Sequence, residues 1–340
     1  MSTQATRSSS RWGRTLRRLL PVTLCTALSV SMAQPADLGS PAPETVPMWA
    51  FPLSSASRTP AAPQESHTLP GSTRKFTQAQ LLDRTVAVDW YPAEHPAMPA
   101  AVRGGSGRGA ACGFCHLPEG QGRPENASLA GLPYNYLLQQ ISDMKSGARK
   151  LVNPHFTPGA LMLQAVSQIG ESDAEQVARY FSALRYKKRV KVIESASVPS
   201  FTAQGFVYVF DSSGPRQALG ERIIEGPDDF SRFEERDNRV GYTAYVPVGS
   251  IARGANLAKG DGKARQPCVT CHGPGLRGGP IGPPVAGRSP TALFRQLYAF
   301  QLGTRNGANA AQMKPIVTGL SYPDMLALAA YVGSLATHGH

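Results

Sequence analysis

Two segments of this 340-residue chain carry the same chemistry: Cys112-Gly113-Phe114-Cys115-His116 and Cys268-Val269-Thr270-Cys271-His272. Two thiols one helical turn apart can each form a thioether with a vinyl group of one porphyrin. The next residue then projects an imidazole at the iron from the same side, so C-x-x-C-H is an attachment pattern for c-type haem. Three other chemistries use paired cysteines. Two disulfides leave the histidine after each pair unexplained. A thioredoxin-like redox pair needs a βαβ setting, which the sequence lacks. A structural zinc site would gather pairs 156 residues apart, far beyond ordinary ligand spacing. The expected cofactors are two covalently bound haem c groups, attached at Cys112, Cys115, Cys268 and Cys271, with His116 and His272 as iron ligands.

The elements that position these groups recur. Shifted by 156 residues, Cys112 falls on Cys268, Ala130-Gly131 on Ala286-Gly287, Gln140 on Gln296, Gly147 on Gly303 and Arg149 on Arg305. An offset of 151 then maps Met162 onto Met313, Tyr180 onto Tyr331 and Leu184 onto Leu335. Two equivalent units follow, the second with a loop five residues shorter. Each has a helix after the motif, Pro133 to about Ser146 and Pro290 to Leu302, ended by Gly147 and Gly303. Ser289 is the expected N-cap of the second, with Pro290 at its first position. Each unit closes with a helix whose apolar residues share a face: Val177, Tyr180, Phe181 and Leu184, and Met325, Leu328, Ala329, Tyr331, Val332 and Leu335. Ser172 and Glu175 form a possible capping box at the start of the first.

A sixth iron ligand must come from between those helices. In the second unit Met313 is the only Met, His or Cys there. The first unit offers His155 and Met162. Repeat register selects Met162, which lies 18 residues before Tyr180 as Met313 does before Tyr331. Met144, at the position of Phe300, reads as core.

The units resemble class I cytochrome c domains, and the pair resembles dihaem cytochromes of the c4/c553 type. The matching segments are C-x-x-C-H, Leu129-Ala130-Gly131 or Val285-Ala286-Gly287, a helix ending Gly147-Ala148-Arg149 or Gly303-Thr304-Arg305, then a Met and a closing helix with Tyr. The resemblance implies small all-α folds around each haem. It implies that Pro283 orients His272 through its carbonyl, with Ala127 at that position in the first unit. It also implies that Arg149 and Arg305 contact haem propionates.

The expected fold is therefore mainly α: two tandem class I cytochrome c domains with an extended N-terminal segment and a β-rich insert between them. Residues 1–33 read as a secretory signal peptide: five arginines without an acid, an apolar run too short to span a bilayer, then Ser31-Met32-Ala33. Leu24 before Cys25 argues against a lipid anchor, and reduced thiols argue for export unfolded rather than through the twin-arginine route. Residues 34–76 form a Pro-rich extended linker, in which Met48-Trp49-Ala50-Phe51-Pro52 could pack on a domain. The first haem domain covers 77–188, the insert 189–248 and the second haem domain 249–340. β-rich runs in the insert are Val190–Ile193, Phe206–Phe210 and Thr243–Pro247, and Ser250 opens a short helix through Ala258.

The formal charge of +12 falls to +7 without the leader's five arginines, which with export and haem opposes nucleic-acid binding. No later stretch is apolar enough for stable membrane insertion after signal cleavage. An iron held by His and Met has no vacant site for substrate, and Met ligation raises its potential. The expected function is a periplasmic electron carrier between redox partner proteins, from a quinol-oxidising complex or dehydrogenase to a terminal acceptor. Two alternatives stay open: a peroxidase or sulfur-compound dehydrogenase with a labile ligand at the first haem, or the cytochrome subunit of a larger dehydrogenase.

Overall fold

Local signals set most of the helices. The computed structural model describes residues 46–53, 64–105, 109–260 and 266–337. The proposed leader and residues 34–45 and 54–63 of the Pro-rich stretch lie outside the described residues.

Ahead of the first motif, a two-stranded antiparallel ladder, β1 (Ser66–His67) with β2 (Phe76–Thr77), leads into α1 (Gln78–Leu82). Thr77 and Gln80 cap α1 reciprocally. A short α2 (Ala100–Arg103) follows, then α3 (Cys112–His116), which is the first motif itself. α4 (Tyr134–Lys145) and α6 (Glu171–Ala183) are the expected mid and closing helices. Between them lies α5 (Thr157–Gln168), where a loop was expected. Pro158 in its first turn pre-sets a helical φ. α6 starts one residue before Ser172, with Gly170 as N-cap, so the expected capping box does not form. Ser172 Oγ instead accepts from Gln176 Nε2 on the helix surface. The residues expected on the closing face, Val177, Tyr180, Phe181 and Leu184, are buried with Val102 and Leu137.

The connecting segment is β-rich as the sequence indicates, and more extensive. β3 (Val190–Glu194), β4 (Ser197–Gln204), β5 (Val207–Ala218), β6 (Ile224–Pro227), α7 (Phe230–Glu234) and β7 (Tyr242–Val246) follow in order. β7 lies centrally, parallel to β3 and antiparallel to β6. β4 and β5 form an antiparallel hairpin, its register shifting between Pro199 and Ser200. The Met48–Phe51 segment packs as anticipated. Trp49, Ala50 and Phe51 are buried in a core shared with this sheet and the last helices, the Trp49 ring 4.7 Å from that of Phe294.

The second unit runs α8 (Ser250–Ala258), α9 (Cys268–His272, the second motif), α10 (Pro290–Gln301), α11 (Lys314–Thr318) and α12 (Tyr322–Ser334). Ser289 caps α10, accepting from the Ala292 N–H at 3.1 Å; such a cap stabilises by about 1 kcal/mol. Ser321 and Asp324 form a capping box on α12. Gly254 lets α8 cross α12 closely, since a Cβ there would lie 2.1 Å from the Ala327 carbonyl oxygen. Among the described residues helix thus clearly exceeds strand. None of these helices is long and apolar enough to cross a membrane.

Candidate haem-attachment sites and the seam between them

Each motif forms one helical turn, which puts both thiols and the imidazole on a short, rigid stretch. The His116 Nδ1 lies 2.7 Å from the Ala127 carbonyl oxygen, and the His272 Nδ1 lies 2.7 Å from that of Pro283. A carbonyl only accepts, so each Nδ1 carries the hydrogen and each Nε2 keeps a free lone pair, as a metal-binding imidazole requires. Burial pushes both imidazoles below their ordinary pKa and favours that neutral form. The alanine in the first unit serves as well as the proline because the backbone oxygen does the work.

The internal repeat extends to the backbone hydrogen bonds. Gly122 and Gly278 donate to the carbonyls of His116 and His272 at 3.0 and 2.8 Å. Ala130 donates to Gly120 and Ala286 to Leu276, while Gly131 and Gly287 reach back to the closing helices at Phe181 and Val332. Leu276 holds φ +59 where the first unit has Gly120, and Leu117 holds φ +65 where the second has Gly273. These are left-handed positions for which glycine is preferred.

The two units meet along a seam with approximate two-fold symmetry. Lys150 N–H donates to the Thr304 carbonyl and Asn306 N–H to the Ala148 carbonyl, both at 2.7 Å. Between these bonds sit Arg149 and Arg305. Arg149 donates to Gln140 Oε1 at 2.8 Å and to Gln296 Oε1 at 3.0 Å. Arg305 donates to Gln296 Oε1 at 3.0 Å and to Gln140 Oε1 at 2.9 Å. Tyr136 breaks the symmetry, its hydroxyl accepting from Arg305 at 2.7 Å. Burial and the charge of Arg305 push Arg149 down to about 10. Burial raises the Tyr136 phenol, but Arg305 and Arg149 outweigh it and hold the group below its usual value. Among the described residues the hydrogen-bond partners of the two guanidiniums are neutral side chains, and no carboxylate forms an ion pair with either. A buried and a half-buried cation side by side make this seam a fit for an anion such as a carboxylate. The repeat pointed to Gln140 and Gln296, but not to their sharing by both arginines.

Met162 lies half-buried on α5, and Met313 lies half-buried at the junction of a 3₁₀ turn with α11. Met313 packs against the large core. His155 is exposed, its backbone N–H donating to Asn153 Oδ1 at 2.9 Å. Met144 is half-buried on α4.

Glu119, three residues beyond His116, was not anticipated as a titratable site. Burial pushes its carboxyl up to about 7. Asn238 Nδ2 donates to Glu119 Oε1, while Glu119 Oε2 and Asn238 Oδ1 are buried without partners. Both orphaned atoms are acceptors, so a proton on the carboxyl supplies a donor that the site lacks. His95, held by Asp89 and Tyr180, and Arg189 complete the charged surroundings. A carboxyl with a raised folded pKa stabilises fully below its ordinary 4.5, and that contribution is lost as pH rises through about 7. Chemical unfolding should therefore show about 3 kcal/mol of stability lost between pH 4.5 and 8. Glu119→Gln should flatten that slope. An unchanged slope would exclude Glu119 as its source.

No family model matches the chain. Cytochrome c-554(548) of Halomonas halodenitrificans is 44% identical over 68 residues, which cover 20% of this chain and 82% of that protein. Cytochrome c4 of Pseudomonas aeruginosa is 26% identical over 245 residues, 71% of this chain and 90% of that one. The thiosulfate dehydrogenase electron acceptor of Stutzerimonas stutzeri is 26% identical over 228 residues, 66% and 79% of the two chains. Among solved structures, the thiosulfate dehydrogenase TsdBA of Marichromatium purpuratum aligns with a TM-score of 0.44 and 27% identity. The alignment covers 67% of this chain and only 37% of that one. Reduced cytochrome c4 of Pseudomonas stutzeri aligns with a TM-score of 0.40 and 22% identity, over 66% and 93% of the two chains.

Proposed function

Since this chain belongs to the class I cytochrome c family, with dihaem cytochromes c4 among its relatives, we propose that it is a periplasmic carrier passing single electrons between redox proteins through two covalent haem c groups. The observation that carries this reading is the pair of motif imidazoles, each with Nδ1 committed to a carbonyl at 2.7 Å and Nε2 free for a metal. Bound haem would supply the one-electron chemistry, and the protein binds, orients and shields it. Cys112, Cys115, Cys268 and Cys271 would hold the porphyrins. Met162 and Met313 would supply the sixth ligands. Arg149 and Arg305, with Gln140, Gln296 and Tyr136, would neutralise haem propionates at the seam. Such a seam would bring the two groups' charged edges together and make relay between them short.

The donor we favour is a periplasmic dehydrogenase. Likeness to a protein named as a thiosulfate dehydrogenase electron acceptor, over 79% of its length, supports that class. The export leader, the haem domains at 77–188 and 249–340, and the connecting role of 189–248 belong to the same proposal.

Spectroscopy of purified holoprotein tests the reading. Ferric protein should show the sulfur-to-iron charge-transfer band in the near-infrared at both haems. Ferrous protein should bind CO poorly, with negligible peroxide turnover. Rapid CO binding at one haem would replace the carrier by the enzyme reading at that site.

A further inference from the structure

The repeat supplies an internal control, because two attachment helices of the same chemistry have different surroundings. In the first unit the chain covers its own motif. A Cβ on Gly113 would lie 2.8 Å from the Val102 carbonyl oxygen and 2.9 Å from the Ala87 Cβ, so only glycine admits this approach. The Arg236 guanidinium lies 3.3 Å above the centroid of the Phe114 ring. It also donates to the Phe114 and Leu81 carbonyls at 2.8 and 3.0 Å. The covering layer has its own small core of Leu69, Leu81, Val88, Trp90 and Tyr91, and the Trp90 indole N–H is bonded to the Glu235 carbonyl at 2.7 Å.

In the second unit no such layer covers the equivalent face among the described residues. Val269 stands at the position of Gly113 and is 47% exposed. Ile281 is 57% exposed on a loop hydrogen-bonded to the end of α9, through Gly282 N–H to the Cys271 carbonyl at 2.9 Å. Residues 266–288 contain no acidic residue, and Arg277, between the two apolar residues in sequence, is exposed. Apolar centres with a charged rim are how transient protein interfaces are built, and rim charge steers encounter.

We propose that redox proteins dock on the attachment face of the second unit alone, and that the partner presents an apolar centre ringed by carboxylates. Electrons then enter and leave at the second haem, and the first exchanges with it across the seam. This rests on the carrier reading above.

The test follows oxidation of reduced holoprotein by an acidic blue-copper protein in stopped flow. Val269→Glu with Ile281→Glu should slow the second-order reaction by at least about tenfold, and Arg277→Glu should slow it and weaken its salt dependence. Leu82→Glu and Val86→Glu, at exposed apolar positions ahead of the first motif, should stay within about twofold of the parent. Slowing by the latter pair, or by neither pair, overturns the proposal. So does a parent that ferricyanide oxidises but the copper protein does not. Haem content and ferricyanide reactivity, measured on every variant, report on the carrier reading separately. Their loss in the parent would overturn that reading instead.

Discussion

Replacing both Cys268 and Cys271 by alanine should leave one haem per chain after acidic acetone extraction, where the parent keeps two. The argument is chemical. Thioethers survive denaturation, whereas coordination by His272 and Met313 does not, so a haem without thioethers leaves with the solvent. Each single-cysteine variant should still hold its haem through the remaining thioether. A disulfide between the motif cysteines gives the opposite pattern, with one new reactive thiol in each single variant and no extraction-resistant haem in the parent. Burial pushes the Cys112 thiol up to about 12 and raises Cys115 as well. A folded chain therefore offers little reactive thiolate at the first motif. Haem attachment at the first motif of chain already folded should be slow, and mass spectrometry of chain exported in a prefolded state should find little haem on Cys112 and Cys115.

The chemistry of the site was legible because it is local. Cysteine and histidine spacing needs no tertiary information, and the 156-residue repeat fixed which positions correspond. Helix boundaries written in short-range signals also read correctly. Ser289 and Pro290 start α10 as expected, Gly303 with φ +68 ends it, and Ser250 opens α8. α5 replaces the expected loop because Thr157-Pro158 starts a helix there, whereas the shorter stretch before Met313 forms only a 3₁₀ turn. The capping box at Ser172 failed through competition with Gly170, which lets the first turn begin at Glu171 and puts two acids near its positive end.

What could not be read depends on contacts distant in sequence. Gly113 looks like a free position in its motif, and only the approach of Val102 and Ala87 shows why it has no side chain. Arg236 reaches its place over Phe114 from 122 residues away, with a left-handed φ of +59 that no propensity suggests. The proline content of residues 34–76 pointed to an extended linker. The Met48–Pro52 run stands out within it as able to pack, and Trp49 and Phe51 anchor it in the core, but only the fold shows Arg295 tying it to the Pro124 loop by bonding the carbonyls of Ala50 and Pro124. The arginine seam is intermediate. The repeat paired Arg149 with Arg305, but only the fold shows that the equivalent residues face one another.

Met162→Ala should abolish the thioether band of one haem, leave the other, and lower that haem's potential by a sizeable part of the roughly 0.8 V over which axial ligands act. A thioether is a neutral, soft donor that favours ferrous iron, whereas imidazole favours the ferric state. If His155 replaced Met162, the first haem would sit below its His/Met neighbour in potential even in the parent. Met162 shares its distance from the closing-helix tyrosine with Met313 and is half-buried, whereas His155 is exposed and its backbone is fixed in a turn by Asn153 Oδ1. His155→Ala should therefore change neither spectrum nor potential. Met313→Ala should remove the other band and potential in the same way, and the double methionine variant should bind CO at both haems. The contrary result would be CO binding opened by His155→Ala and not by Met162→Ala. It would make the first unit a His/His site, and the helix that carries Met162 would then have only a packing role.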